Sequence, residues 1–201
     1  MSEASAAEAI AAVIEGGRFA AEHGWIPATS GNFSARVDAA RAAVTATGTD
    51  KGALRPEDVL VVEIDGPAHP RASAEAELHL ALYQARPDIG AILHIHSLPA
   101  AVLGEQYEAE GQIVLSQVEL LKALQGVTTH ETRVAVPVFA NSQDIPILAL
   151  EVVPAVAKGW GFVLAGHGLY AWGRTIAEAK RHTEAFDYLF AYHLERERLR
   201  R

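Results

Sequence analysis

Hydrophobic positions recur along this chain with two periods, one typical of helices and one typical of strands. The helical period predicts helices over residues 5–22, 73–85 and 147–158, another from Pro99, and a long terminal one from Thr175. Short β-branched or alternating runs between turn-forming residues predict strands over residues 32–37, 43–47, 59–64, 91–96, 112–115, 134–139, 161–165 and 169–172. This mixture predicts a layered α/β or α+β domain, and the periodicity leaves the strand order open.

A further helix is predicted directly after the strand over residues 112–115. Ser116, followed three residues later by Glu119, matches a capping box, in which the two side chains satisfy free N–H groups at the start of a helix. The three leucines that follow Glu119 fit the buried side of such a helix. The pattern therefore predicts an α-helix that begins near Ser116.

Composition narrows the class of protein. With 201 residues, 50% of them hydrophobic and 21% charged, the chain is expected to form one globular domain over residues 1–201. The net charge of -8 and the lack of a basic block argue against a nucleic-acid partner. No apolar run has the length of a membrane span and the N-terminus is unlike a signal peptide, so we expect a cytoplasmic protein with no membrane partner.

Histidine is the natural metal ligand in a chain that has nine histidines and no cysteine. His94 and His96 are two residues apart on a predicted strand and therefore project from one face. His167 lies between two glycines, where the chain turns from one apolar run into the next. Taken alone, His94 and His96 could be hydrogen-bonded strand histidines, and His167 could be a turn histidine that faces water. Three neutral imidazoles together match a catalytic Zn²⁺ site with an open fourth position.

Two polar, glycine-containing turns lie beside predicted strands. The turns SGN at residues 30–32 and ATGTDKG at residues 46–52 could offer N–H groups and hydroxyls to a phosphate, and Lys51 could add a positive charge. Ordinary β-turns explain the same patterns. These turns therefore indicate a phosphate site only if a metal site lies nearby.

Two carboxylates are candidates for acid and base chemistry. From the pattern alone, Glu119 is better explained by its capping role, and Glu75 by a solvated position in the first turn of a helix. His79 is four residues after Glu75, so a surface pair on that helix accounts for it. The remaining histidines have no ligand spacing and are predicted to be surface residues: His23, His69, His130, His182 and His193.

An ordered set of motifs spans nearly the whole chain. GWIPATSGNFSAR, ATGTDKGAL, SAEAELHLALY, AILHIHS and AGHGLYAWGRT together resemble the class II aldolase/adducin family. The resemblance implies an α/β fold: a three-layer α/β/α domain around a central, largely antiparallel sheet. It also implies a homotetramer with active sites near subunit interfaces, and one Zn²⁺ per subunit on His94, His96 and His167.

Within that family, the segments TSGNFS, TGTDKG, SQVELLKAL and EAFDYLF resemble the branch that dehydrates 5-methylthioribulose 1-phosphate in methionine salvage. This resemblance implies a carbon–oxygen lyase that forms 2,3-diketo-5-methylthiopentyl 1-phosphate from a small sugar phosphate. The catalytic glutamate of that branch falls on Glu119, whereas that of the aldolases falls on Glu75. This chain carries both, and we expect Glu119 to be the catalytic residue.

The resemblance also implies a substrate and phosphate site. Its members here are Gly31, Asn32, Thr47, Gly48, Ser73 and Glu75, to which we add Lys51. A class II sugar-phosphate aldolase or epimerase with the same metal site is the alternative enzyme. An adducin-like interaction domain is the non-enzymatic alternative, and the retention of all three histidines argues against it.

Overall fold

The computed structural model describes residues 5–67 and 69–200. Its centre is an eight-stranded sheet in the order β3-β2-β1-β4-β8-β7-β6-β5. Every neighbouring pair is antiparallel except β6 and β7, which are parallel. The strands are β1 (Asn32–Arg36), β2 (Arg41–Thr45), β3 (Val59–Glu63), β4 (Ala91–Ile95), β5 (Gln112–Leu115), β6 (Val134–Phe139), β7 (Gly161–Leu164) and β8 (Gly168–Gly173).

In the part of the chain that the structure describes, five α-helices cover the two faces of this sheet. They are α1 (Ala6–Glu22), α2 (Ala76–Ala85), α3 (Leu98–Gln106), α4 (Ile145–Ala155) and α5 (Ile176–Arg198). Side chains of α2 and α4 pack in one hydrophobic cluster, and those of α1, α3 and α5 pack in another. Alternation along β4 explains the division, since Ile92 belongs to the first cluster and Leu93 to the second. The three-layer α/β/α fold with a largely antiparallel sheet is therefore confirmed.

The predicted strands are present, and so are the predicted helices apart from the one expected to begin near Ser116. Their boundaries differ from the predicted ones by a few residues. Side-chain caps define several helix starts. Ser5 and Glu8 form a capping box at α1, Asp144 accepts a hydrogen bond from the N–H of Ile147 in α4, and Thr175 caps α5. Within residues 5–67 and 69–200, no helix has both the length and the apolar character needed to cross a membrane.

The predicted α-helix from Ser116 is wrong. The chain forms a short 3₁₀ helix there, Glu119–Ala123, with Val118 at its N-cap and no side-chain cap. The reason lies one residue after Ser116, where Gln117 has φ 62° and its N–H donates to the carbonyl of His130. This left-handed residue turns the backbone away from a helical path before the capping box can close.

The surface positions predicted for His79 and His182 are also wrong, because each is only 1% exposed. His182 Nδ1–H donates to the carbonyl of Trp172, and its Nε2 accepts from the N–H of Gln125. His79 Nδ1 lies 2.8 Å from the hydroxyl of Ser34 on β1. Both rings therefore join helices to neighbouring elements as buried polar links.

Candidate metal centre

Three imidazoles converge at one edge of the sheet. His94 and His96 come from β4 and the residue after its end, and His167 comes from the turn between β7 and β8. Their Nε2 atoms lie 3.2 Å apart for His94 and His96, 3.2 Å for His94 and His167, and 3.1 Å for His96 and His167. The predicted grouping of the three histidines is thus present in the structure, and they form a group that could hold a metal ion.

The spacing of these nitrogens fits a divalent ion. Ligand nitrogens about 2.0–2.1 Å from a tetrahedral Zn²⁺ would be about 3.3 Å from one another. His94 Nδ1–H donates to the carbonyl of Leu169, and His167 Nδ1–H donates to the side-chain oxygen of Asn141. In both rings these bonds leave the lone pair on Nε2, directed at the common point.

Burial keeps two of the imidazoles neutral. Burial, and then the neighbouring His167 and His96, lower the pKa of His94 well below its ordinary value. Burial and then His167 lower the pKa of His96 to about 4. A histidine must be neutral to bind a metal, so at pH 7 these two rings are ready ligands.

The glycines on either side of His167 allow the third imidazole to reach the other two. Gly166 has φ 64°, a conformation that L side chains rarely adopt. A Cβ on Gly168 would lie 2.1 Å from the carbonyl oxygen of Ile95, so β8 approaches β4 this closely only because the residue is glycine.

Glu75 faces the three imidazoles from the N-cap of α2. Its Oε1 lies 3.3 Å from Nε2 of His167, and its Oε2 lies 3.6 Å from Nε2 of His94. Asn32 Nδ2 donates to Oε2 over 2.6 Å. Burial raises the pKa of Glu75, and His167, Tyr170 and Asn32 oppose that rise. The solvated first-turn position and the surface pair with His79 are therefore wrong, because Glu75 points into the centre.

The predicted phosphate turns lie at the same edge of the sheet. Asn32 pairs with His94 across β1 and β4, which places Gly31 beside the imidazoles. Ser73, the other residue of the predicted phosphate site, lies at the end of β2, because its N–H donates to the carbonyl of Thr45. Among the described residues, the buried Oδ1 of Asn32 and Oγ of Ser30 have no hydrogen-bond partner. Ser30 carries the hydroxyl of the predicted SGN turn.

Thr47, Gly48 and Lys51 belong to the turn that follows β2. The N–H of Thr47 donates to the carbonyl of Arg71, while Gly48 has φ 70° and open space beside it. Lys51 is largely buried, and its Nζ donates to the carbonyl of Thr49. Burial lowers the pKa of Lys51. In this arrangement the ammonium group stabilises its own turn.

Glu119 lies on the other side of the sheet from the imidazoles. His94 stacks on Tyr170, which belongs to the hydrophobic cluster under α2 and α4, with ring centres 4.0 Å apart. Leu121, two residues after Glu119, is buried in the opposite cluster, under α5. The Glu119 side chain is 73% exposed and pairs with Lys122, which lowers its pKa. In the described part of the chain no contact joins Glu119 to the imidazoles.

Two residues of the centre were missed from sequence. Tyr170 pairs with His94 in the β4–β8 register, and burial together with Glu75 raises the pKa of its hydroxyl. The alternation of β8 after His167 offered a signal for it. For Asn141, the only signal in the sequence was a polar residue after the end of a strand, β6.

The sequence of this chain is similar to those of known proteins. Residues 11–194 match the sequence model of the family described as Class II Aldolase and Adducin N-terminal domain. The chain is 52% identical over 190 residues to a methylthioribulose-1-phosphate dehydratase from Bradyrhizobium sp. (strain BTAi1), covering 90% of this chain and 88% of that protein. It is 49% identical over 197 residues to one from Parvibaculum lavamentivorans, covering 96% and 97%.

Solved structures give the same picture of the fold. L-fuculose-1-phosphate aldolase from Thermus thermophilus superposes with a TM-score of 0.79 at 26% identity, over 94% of this chain and 95% of that one. A sugar-phosphate aldolase from Thermotoga maritima superposes with a TM-score of 0.68 at 17% identity, over 96% of each chain.

Proposed function

The chain belongs to the class II aldolase and adducin family, and on that premise we propose that it dehydrates 5-methylthioribulose 1-phosphate to 2,3-diketo-5-methylthiopentyl 1-phosphate, a step of methionine salvage. The convergence of three Nε2 atoms within 3.1–3.2 Å of one another is the observation that carries the metal-dependent part of this proposal. The names of relatives that are about half identical over most of the chain support this substrate.

We propose that His94, His96 and His167 hold one Zn²⁺ per subunit. Such an ion would supply a positive charge that polarises the C2 carbonyl of the substrate and makes the C3 proton more acidic. The protein supplies the placement of that charge: β4 fixes two of the imidazoles, and the tight β7–β8 turn fixes the third. The stacked ring of Tyr170 closes the buried side of His94 to water.

The phosphate of the substrate is proposed to bind in the turns beside the imidazoles. Backbone N–H groups and short hydroxyls suit an anion, and the unpartnered Ser30 hydroxyl and open Gly48 leave such groups available. The proposed set is Gly31, Asn32, Thr47, Gly48 and Ser73, with Lys51 stabilising the turn around Gly48. Glu75 lies between this set and the imidazoles and is proposed to contact the substrate there.

Dehydration needs a base at C3 and an acid at C4. The C3 proton leaves, the C3–C4 double bond forms, and the C4 hydroxyl departs with a proton as water; the resulting enol then becomes a ketone. We assign the proton donated to the leaving hydroxyl to Glu119. In one chain this carboxylate is exposed and paired with Lys122. Burial against a second copy would raise its pKa toward the range that suits an acid.

The surface around Glu119 supports a second copy as its partner. A cavity of about 820 Å³ lies there, lined mainly by apolar atoms and tyrosines. Tyr188 and Tyr192 on α5 are 54% and 40% exposed, although large aromatic residues are usually covered. We therefore propose a homotetramer in which this surface of one subunit contacts the next subunit at the edge of its sheet that carries His94, His96 and His167.

The reaction is tested by incubating the zinc-loaded protein with 5-methylthioribulose 1-phosphate and following the products by NMR and mass spectrometry, because an epimer has the same mass as the substrate. Loss of one water is the expected result. Two smaller carbonyl products would identify an aldolase and an isomer of unchanged mass an epimerase, and either outcome would overturn the dehydratase proposal.

Glu119→Gln tests the acid. We expect turnover to fall by at least about a hundredfold, in keeping with the loss of a general acid, while zinc content and oligomeric state stay unchanged. Glu184→Gln is the matched control, because Glu184 lines the same cavity and is 61% exposed. Near-normal turnover in Glu119→Gln would remove Glu119 from the mechanism.

A mixing experiment tests the sharing of the site between subunits. Subunits that carry Glu119→Gln are refolded together with subunits that carry His96→Ala. If each site takes its imidazoles and its glutamate from different chains, mixed oligomers regain part of the activity that each variant lacks alone. No recovery from verified mixed oligomers would contradict the shared site.

A further inference from the structure

His167 differs from the other two imidazoles in how its ring is held. His94 lies within β4, and its Nδ1–H bonds to a carbonyl of the neighbouring strand, that of Leu169. His167 lies on a turn, where its backbone N–H donates to the carbonyl of Leu164. Its ring depends on a side chain instead, since its Nδ1 lies 3.0 Å from Oδ1 of Asn141.

The loop that carries Asn141 is held at both ends. The carbonyl of Phe139, at the end of β6, accepts a hydrogen bond from the N–H of Ala165, the residue that follows β7. On the other side of Asn141, the hydroxyl of Ser142 accepts from the N–H of Asp144, and Asp144 caps α4. Asn141 is thus fixed in place although its side chain lies at the surface.

A second donor indicates which way the Asn141 amide faces. The Nε2 of Gln143 lies 3.4 Å from the same Oδ1 that contacts His167. The Gln143 N–H needs an acceptor at this position, which an amide oxygen provides and an NH₂ group does not. With the oxygen facing His167, Nδ1 carries the proton and Nε2 keeps its lone pair.

The opposite orientation would conflict with the centre. An NH₂ group facing Nδ1 would place the ring proton on Nε2, which points at the Nε2 atoms of His94 and His96 from 3.2 and 3.1 Å. That proton would occupy the space of a metal ion. The acceptor at position 141 is therefore coupled to the ability of His167 to bind.

We infer that Asn141 is a positioning residue that sets the tautomer and direction of His167 and, through them, the metal affinity of the centre. The inference rests on the metal site of the proposed function but not on its substrate. Mutation of a side chain that hydrogen-bonds to a metal-ligating histidine typically weakens metal affinity by about 10–100-fold. Asn141 acts on the ligand and is not assigned a contact with substrate.

The test compares Asn141→Leu, which keeps the shape and removes the acceptor, with Asn141→Asp, which keeps an acceptor. Zn²⁺ affinity is measured by competition with a chromophoric chelator, without substrate. We expect Asn141→Leu to bind Zn²⁺ about 10–100-fold more weakly and Asn141→Asp to bind at least as tightly as the wild type. Gln106→Leu is the control, because Gln106 is a surface amide that donates to Glu197.

An equal loss in both variants would show that the loop, not the acceptor, matters, and this would overturn the inference. So would wild-type affinity in Asn141→Leu. If Asn141→Leu fails to fold, ¹⁵N NMR of the metal-free wild-type protein decides the same point. The His167 ring is expected with its proton on Nδ1, and a proton mainly on Nε2 would refute the inference.

These readouts also separate this inference from the proposed reaction. A wild-type protein that binds Zn²⁺, loses affinity in Asn141→Leu and leaves 5-methylthioribulose 1-phosphate unchanged would refute the reaction alone. Dehydration by the wild type with undiminished Zn²⁺ affinity in Asn141→Leu would refute the positioning role alone.

Discussion

Acid should destabilise this protein through one buried histidine that is not part of the metal centre. His79 on α2 is 1% exposed, and burial lowers its pKa to about 3 from an ordinary value of about 6.5. Between these two values the unfolded chain binds a proton at this position that the folded chain does not. The folded state therefore loses stability as the pH falls below about 6.5.

The size of this effect follows from the two pKa values. At pH 5 the unfolded histidine is almost fully protonated and the folded one is neutral, which costs about 2 kcal/mol; at pH 7.5 the cost is below about 0.1 kcal/mol. His79→Asn removes the titrating group while its amide can still reach the hydroxyl of Ser34, 2.8 Å from Nδ1 in the wild type. The cavity left by the smaller side chain lowers stability equally at both pH values and cancels in the difference.

The assay is urea unfolding at pH 7.5 and pH 5.0, with a chelator present and at one protein concentration. The wild type should lose about 2 kcal/mol more than His79→Asn between the two pH values. His69→Asn, which removes an exposed histidine, is the control and should behave as the wild type does. An equal loss in His79→Asn and the wild type would mean that folded His79 accepts a proton, and the reasoning from burial would fail.

Two further predictions concern the metal and the far end of the sheet. Chelation should lower the unfolding temperature, because free Zn²⁺ at a hundred times its Kd stabilises the folded state by about 2.7 kcal/mol; calorimetry that shows no shift would contradict metal binding to the folded chain. Arg36→Met should destabilise the protein by about 2 kcal/mol or more in urea, because its guanidinium donates to the carbonyls of Tyr83, Arg86 and Ile89. Its Zn²⁺ affinity should not change, since Arg36 and Asn32 lie at opposite ends of β1.

The parts of the centre that sequence could predict are those encoded locally. His94 and His96 share a face because side chains alternate along any strand. His167 could be recognised from its flanking glycines, and the positive φ of Gly166 and the close approach of Gly168 to β4 show why both are needed. For each of these residues the relevant structure lies within a few positions of the residue itself.

The remainder depends on contacts between distant segments. Glu75 meets His167 only because α2 begins above the junction of β1 and β4, and Asn141 meets it only because β6 lies beside β7. The burial of His79 and His182 was missed for a related reason. A histidine on a helix fits either a buried or an exposed position, and the hydrogen-bond partners that permit burial, such as Ser34, come from other elements.

The two carboxylates show why the structure of one chain does not by itself identify the acid. In the isolated chain Glu75 has the attributes of an acid: it is buried, its pKa is raised, and it lies within 3.3 Å of an imidazole nitrogen. A cation among the imidazoles would reverse the second attribute, because a nearby positive charge stabilises the carboxylate and lowers its pKa. Glu119 is exposed in one chain, and in the proposed assembly it too would approach the cation of a neighbouring site, so the same charge would act on its pKa. The raised pKa of Glu75 in the metal-free chain therefore does not select it as the acid, and the turnover of Glu119→Gln decides the assignment.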